Sequence, residues 1–253
     1  MYYIKRIFNN KLKLIISLLF IVYPFVDCIM ILLDVKRGAS VPSPYTATFL
    51  TSCVYNVCQI LLLWYLPLYL LIIVADDCIE DYKTGYKSIL ISKFGKKAYI
   101  ARNILKGFLF GLGIMLVSLI INFVTTQIIF SGGHYIAYDI DTINSVSNLK
   151  TSFEHPILTN FIYIVITSII TGIVGAGAVA ISIGLRNRLI VYPAVFIMWY
   201  VPTSTFERPI LLALQPFTEF SILDALPSLL FVLFINASAI VFTCIKELKY
   251  ETV

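Results

Sequence analysis

The sequence predicts an all-α integral membrane protein. It reads as six transmembrane helices, an amphipathic helix on the cytoplasmic side after the second, and a short outer hairpin before the last. Three observations predict this. Apolar runs of about the ~20 residues that a helix needs to cross a bilayer recur along the chain. Only 13% of the residues are charged and 59% are hydrophobic, where soluble domains carry roughly 25% charged residues. The charges are also gathered into a few segments. The densest is 75–106, ADDCIEDYKTGYKSILISKFGKKAYIARNILK, with seven basic and four acidic side chains. The net charge of +5 follows this layout and is no signal for nucleic acid, and 253 residues fit one membrane domain, 1–253.

Lys5, Arg6, Lys11 and Lys13 precede the first span, about 14–33. This run is long for a signal peptide and lacks a small-residue cleavage site, so it is read as retained. It contains Pro24 and an acid, Asp27. Acids inside spans usually face protein or water. Asp27 is equally readable as an acid reaching the outer interface and as a contact for cargo. The second span, about 49–74, should kink at Pro67, which removes a helix hydrogen bond. Asn56 and Gln59 lie one turn apart in it and should bond neighbouring helices.

In the charged island, Ile79, Tyr82, Tyr86, Ile89, Leu90 and Phe94 recur at steps of three and four, which places them on one helical face. Gly95 then interrupts, and a second amphipathic piece, 96–106, should turn back into the bilayer. A helix lying on the membrane surface holds its apolar side in the headgroups and offers its charges to a soluble partner.

The third span, about 107–130, opens on Gly107, Gly111 and Gly113 and contains Asn122. The polar loop 131–156 carries both histidines, His134 and His155, with Asp139, Asp141 and Glu154, at spacings that match no metal-ligand pattern. The fourth span, about 157–183, has glycines at 172, 175 and 177, and Gly184 follows it. Small residues at helical spacing form a packing face. Arg186 and Arg188 make a short basic loop before the fifth apolar run, 189–201, which is short for a crossing, so the fifth span is taken to begin earlier, about 185–202. The proline-interrupted stretch after it should form one or two short helices dipping into the outer leaflet, since irregular backbone at membrane depth must be buried or line water. The last span is about 226–245 and holds Asn236. With Asp27, Asn56, Gln59 and Asn122, Asn236 is a candidate for a cargo path or for packing. The five cysteines, Cys28, Cys53, Cys58, Cys78 and Cys244, show no CxxC or Cys/His spacing and read as small apolar fillers.

With six spans, the N-terminal segment, the island, the Arg186/Arg188 loop and the tail share one side. Only Lys36, Arg37, Lys150 and Arg208 of the 19 Lys and Arg residues fall on the other. The positive-inside rule then places both termini and the island in the cytoplasm of a multi-pass plasma-membrane protein. Five crossings would move only the tail. No P-loop, HExxH or GxSxG occurs, and no row of acids suits a proton relay. Catalysis is therefore not expected of this chain. Its apolar spans suit a greasy or amphipathic cargo rather than a hydrophilic pore.

The six-span layout and the island resemble the membrane (permease) subunits of ABC transporters of the second export class, the ABC-2 type. Their loop after the second span runs through acidic residues, Gly, an apolar helix, Ser or Pro, a basic turn, and a Lys or Arg entering the third span. Here the order is Glu80-Asp81, Gly85, Ile89-Leu90, Ser92, Lys96-Lys97, then Arg102 and Lys106. Lys83-Thr84 departs from the pattern, standing where a second acid often precedes Gly. Size and Lys/Ile/Asn-rich composition are similar to Gram-positive peptide exporters such as the exporters of phenol-soluble modulins. The resemblance implies a coupling helix over 75–106 and a partner ABC ATPase that binds ATP and Mg. It also implies a second permease chain, identical or not, and an amphipathic peptide as cargo. ATPase contact would fall to Ile79, Tyr82, Gly85, Tyr86, Ile89, Leu90 and Phe94, with Asp77, Glu80, Asp81 and Lys87 setting register by charge. The alternatives are a stand-alone peptide-immunity or scaffold membrane protein and a secondary carrier.

Overall fold

The computed structural model describes residue 6 and residues 9–51, 57–135 and 147–249. All regular structure among them is helical. The elements are α1 (Lys11–Lys36), α2 (Val57–Trp64), α3 (Leu66–Leu70), a π-helical turn (Leu71–Ala75), α4 (Asp76–Lys83), α5 (Tyr86–Phe94) and α6 (Lys96–Ile129). They continue with α7 (Ser147–Glu154), α8 (Pro156–Leu185), α9 (Arg188–Ser204), α10 (Ile210–Ala213) and α11 (Leu226–Lys249). Four of these, α1, α6, α8 and α11, are long and apolar enough to cross a membrane. Helix α2 and the stretch Leu66–Lys83 (α3, the π turn and α4), bent by 55° at their break, make a fifth if they count as one span. Helix α9 has 17 residues, about 25 Å at 1.5 Å per residue.

Helix α8 is the axle of the bundle. Its apolar window is 72% buried, whereas those of α1, α6 and α11 are 28–33% buried. The glycine pattern explains how it accommodates neighbours on both sides. A Cβ on Gly107 of α6 would stand 2.7 Å from the Gly175 carbonyl oxygen, and one on Gly175 would stand 2.6 Å from that of Gly107. Gly111 meets the Thr171 carbonyl in the same way. On its other side, Gly177 faces Asn236 of α11 and Gly184 faces Thr243, whose hydroxyl donates to the Ala180 carbonyl at 2.8 Å. The small residues thus let backbones approach closely, as their spacing predicts.

Two prolines leave helical carbonyls without partners, because proline has no N–H to give residue i−4. Pro24 does this to Phe20 in α1, and Ser118 Oγ of α6 donates to that oxygen. Pro67 does it to Leu63, and the Trp199 indole of α9 donates there at 2.8 Å. The kink expected at Pro67 is the α2–α3 bend.

Several boundaries differ from the sequence reading. Helix α1 extends beyond 14–33 at both ends. Residues 42–51 do not begin the second span. They form turns buried on the bundle, with Phe49 N donating to Asn122 Oδ1 at 2.9 Å and Thr48 Oγ1 donating to Asn160 at 3.0 Å. The piece 96–106 runs without a break into the third span, as expected. Lys96 to Ile129 is one helix of 34 residues, about 50 Å long. It holds no proline, and Gly107 sits where the crossing with α8 requires a glycine. The island breaks at Gly95, as its sequence predicts, and also at Gly85, whose φ of +72° suits glycine and which follows the end of α4. After Ser204, one helical turn, α10, stands where one or two short helices are expected.

Candidate functional site

Helices α4 and α5 form a charged hairpin against one end of the bundle. Asp77 is its electrostatic centre, 1% exposed. It is ion-paired to Lys13 of α1, to Arg6 Nε at 3.2 Å and to Lys106 Nζ of α6 at 3.2 Å. One turn on, Asp81 is also buried and takes Arg6 Nη1 at 2.6 Å. The other side of α4 faces Arg188 at the start of α9. Its guanidinium grips Asp76 with two bonds, Nε to Oδ1 at 2.6 Å and Nη2 to Oδ2 at 2.5 Å, and reaches Glu80 at 3.0 Å.

A second cluster centres on Glu247 near the end of α11, which is fully buried. Lys87 of α5 meets one carboxylate oxygen at 2.7 Å and Arg186, just after α8, meets the other at 2.6 Å. The Arg186 guanidinium also lies 4.6 Å from the centre of the Tyr82 ring, within cation–π range. The hairpin is therefore tied by charge to α1, α6, α11 and both ends of the α8–α9 turn.

The two buried acids of α4 respond oppositely to their surroundings. Burial works to raise the Asp77 carboxyl, but Lys106, Lys13 and Arg6 outweigh it and hold it below its ordinary value. For Asp81, burial, aided by the neighbouring Asp77 charge, wins over Arg6 and Lys106 and its carboxyl is pushed up.

This geometry corrects the sequence reading of the island. Ile79, Tyr82, Tyr86, Ile89, Leu90 and Phe94 do not share a face, because the break at Gly85 splits them between two helices. Ile79 and Leu90 are buried, Tyr86 is half-buried, and Tyr82, Ile89 and Phe94 are exposed. The charges are not all turned outward either. Asp77, Asp81 and Lys87 are buried and paired inside the chain, while Glu80 is partly exposed. The physical reason is that a carboxylate and an ammonium packed between helices need each other. Arg6, Lys13, Arg186, Arg188 and Glu247 complete these pairs. As sequence features they register only as topological charge.

Asn122, Gln59 and Asn236 hydrogen-bond within the chain. Asn122 Oδ1 accepts from Phe49 N, and its amide reaches Pro24 O and Cys28 Sγ at 3.4 Å each. Gln59 donates to Leu50 O at 2.9 Å and Asn236 to Val232 O at 2.8 Å. Asp27 differs. It is 3% exposed, and its Oδ1 has no hydrogen-bond partner among the described residues. Asn56, Cys53, Asp139 and Asp141 lie outside the described residues. Among those described, no three His, Cys, Asp or Glu side chains are grouped to hold a metal ion.

No family model matches the chain, and no solved structure matches it. It is 36% identical over 252 residues to the uncharacterized protein YybM of Bacillus subtilis (strain 168), an alignment covering 98% of each chain. At that identity and coverage, the chain belongs to the same family as YybM.

Proposed function

We propose that this chain is the permease subunit of an ATP-driven exporter of the ABC-2 type, working as a dimer in the plasma membrane with both termini in the cytoplasm. On this reading it has six spans, counting α9, and moves an amphipathic peptide or other hydrophobic cargo. ATP and Mg bind a separate ATPase chain. The observation that carries the proposal is the clamping of the α4–α5 hairpin. Its buried ion pairs reach α1, α6 and α11, and a more exposed pair with Arg188 reaches the α8–α9 turn, so a displacement of the hairpin is passed to most of the bundle. Buried pairs of this kind resist separation because parting them leaves an uncompensated charge.

In this role the contact with the ATPase falls to the outward residues. Tyr82, Ile89 and Phe94 are 46%, 60% and 41% exposed, and Lys83 and Lys93 flank them. Asp77, Asp81 and Lys87 act inward, holding the hairpin to the helices that it moves.

The test is to affinity-purify the tagged chain from mild detergent and identify stoichiometric partners by mass spectrometry. The expected result is a P-loop ATPase near one to one, lost in Ile89→Lys and in Tyr82→Ala/Phe94→Ala while membrane insertion and thermal stability persist. Recovery without an ATPase across several detergents sinks the proposal and leaves the stand-alone scaffold or the secondary carrier. Transport driven by a pH gradient alone separates those two.

A further inference from the structure

The close crossings on α8 have a side effect on the bundle surface. Helix α6 packs onto α8 through Gly107 and Gly111, and α11 packs onto it through Gly177 and Gly184. The two outer helices therefore hug α8 and leave a trough between themselves. Its floor is Ile173 and Ala176. One wall is α6 from Ile100 to Phe108, and the other is α11 at Ile240, Cys244 and Leu248. Lys97, exposed, is the one charged residue lining it and stands at its end.

The trough is open along one side and has a volume of about 600 Å³. It follows α6 from Lys97 to Phe108, about 16 Å at 1.5 Å per residue. Its lining offers almost nothing to satisfy peptide groups, so an extended peptide would leave them unpaired. A single hydrocarbon chain lying along the trough has no such groups and buries only apolar surface against this lining. Lys97 adds a cation at the charged end of the bundle, where anionic lipids of the cytoplasmic leaflet present their phosphates.

We propose that this trough holds one acyl chain of an anionic phospholipid, with the lipid phosphate on Lys97. The inference rests on the membrane reading of the chain but not on the ATPase. The bound chain would fill the gap between α6 and α11, which the glycine crossings leave open.

Cys244 provides a built-in probe, since its half-buried thiol lines the trough. The full chain, purified in maltoside and stripped of lipid, is titrated with phosphatidylglycerol or phosphatidylcholine. Alkylation of Cys244 by a small maleimide is followed by peptide mass spectrometry. Phosphatidylglycerol is expected to slow the alkylation several-fold, at roughly tenfold lower concentration than phosphatidylcholine. Lys97→Glu should bring the two lipids together while keeping the protection at high concentration. Equal potency of the two lipids on the native chain overturns the headgroup assignment, and an alkylation rate indifferent to both overturns the site. Protection that follows protein concentration instead of lipid assigns the trough to a second copy of the chain. Each outcome can be read whether or not an ATPase co-purifies.

Discussion

The Trp199 indole donates to the Leu63 carbonyl at 2.8 Å, across the α9–α2 contact. Pro67 deprives that carbonyl of its helical donor, so the tryptophan completes a hydrogen bond that α2 lacks. Trp199→Phe keeps most of the buried ring and removes the donor. An unsatisfied buried carbonyl costs about 1–3 kcal/mol, and the thermal midpoint in detergent should fall accordingly. In a Pro67→Ala background the amide of residue 67 can supply the missing donor, and the same tryptophan change should then cost less. Strict additivity of the two changes would falsify the link.

The crossing of α6 and α8 makes a second prediction with its own control. A side chain at Gly175 runs into the Gly107 carbonyl, whereas one at Gly113 meets nothing within 4 Å. Gly175→Val should destabilise by at least the 1–3 kcal/mol typical of overpacking and reduce the yield of folded protein. Gly113→Ala should be neutral or stabilising by up to about 1 kcal/mol, from helix propensity. Thermal melts of the two variants side by side decide this. If they behave alike, close packing is not what the glycines supply.

The contrast between these glycines and the island shows what the sequence carries. Apolar runs and small-residue spacing are local, one-dimensional signals, and they locate α1, α6, α8 and α11 and the α8 packing face well. Pro67 announces its own bend. Partners distant in sequence leave no such trace. Asp77 meets Lys13 and Lys106, and Lys87 meets Glu247 from 160 residues away. Periodicity could not reveal that the island folds back and buries Asp77, Asp81 and Lys87. The single turn at Gly85 then redistributes every later side chain of the island, which is why one predicted face became two.

The opposite responses of Asp77 and Asp81 separate two changes that look alike in sequence. Asp77→Asn removes the countercharge of Arg6, Lys13 and Lys106, and breaking a buried pair costs about 3–5 kcal/mol. Because the folded-state carboxyl is held below its ordinary 3.8, its contribution is complete above that pH. It is lost as pH falls through the folded value. The deficit of Asp77→Asn should therefore stay constant from pH 5 to 8. Asp81 is raised in the folded state, so its ionisation weakens the fold as pH climbs from 3.8 through the higher folded value. Asp81→Asn should then cost far less than Asp77→Asn at pH 7, Arg6 still having Asp77 and Glu80. Melting curves of both variants across this range test the assignment, and equal losses at pH 7 would contradict it.

Asp27 gives the last prediction. It is buried within α1, with Oδ1 unpartnered among the described residues, and no ion pair among those residues includes it. A buried polar atom without a partner costs about 1–3 kcal/mol, so Asp27→Leu, similar in volume, should raise the thermal midpoint of the chain in detergent. A residue that weakens its own helix bundle is a candidate for function, since ionisable groups inside spans are expensive to keep. In a transport assay Asp27→Leu should accordingly lower flux while expression and stability hold or improve. Gln59→Leu breaks its bond to the Leu50 carbonyl and should do the reverse, losing stability and sparing the flux of the protein that still folds. If Asp27→Leu destabilises instead, Asp27 is a packing residue like Gln59, and the one acid in α1 that nothing described here neutralises has a structural partner after all.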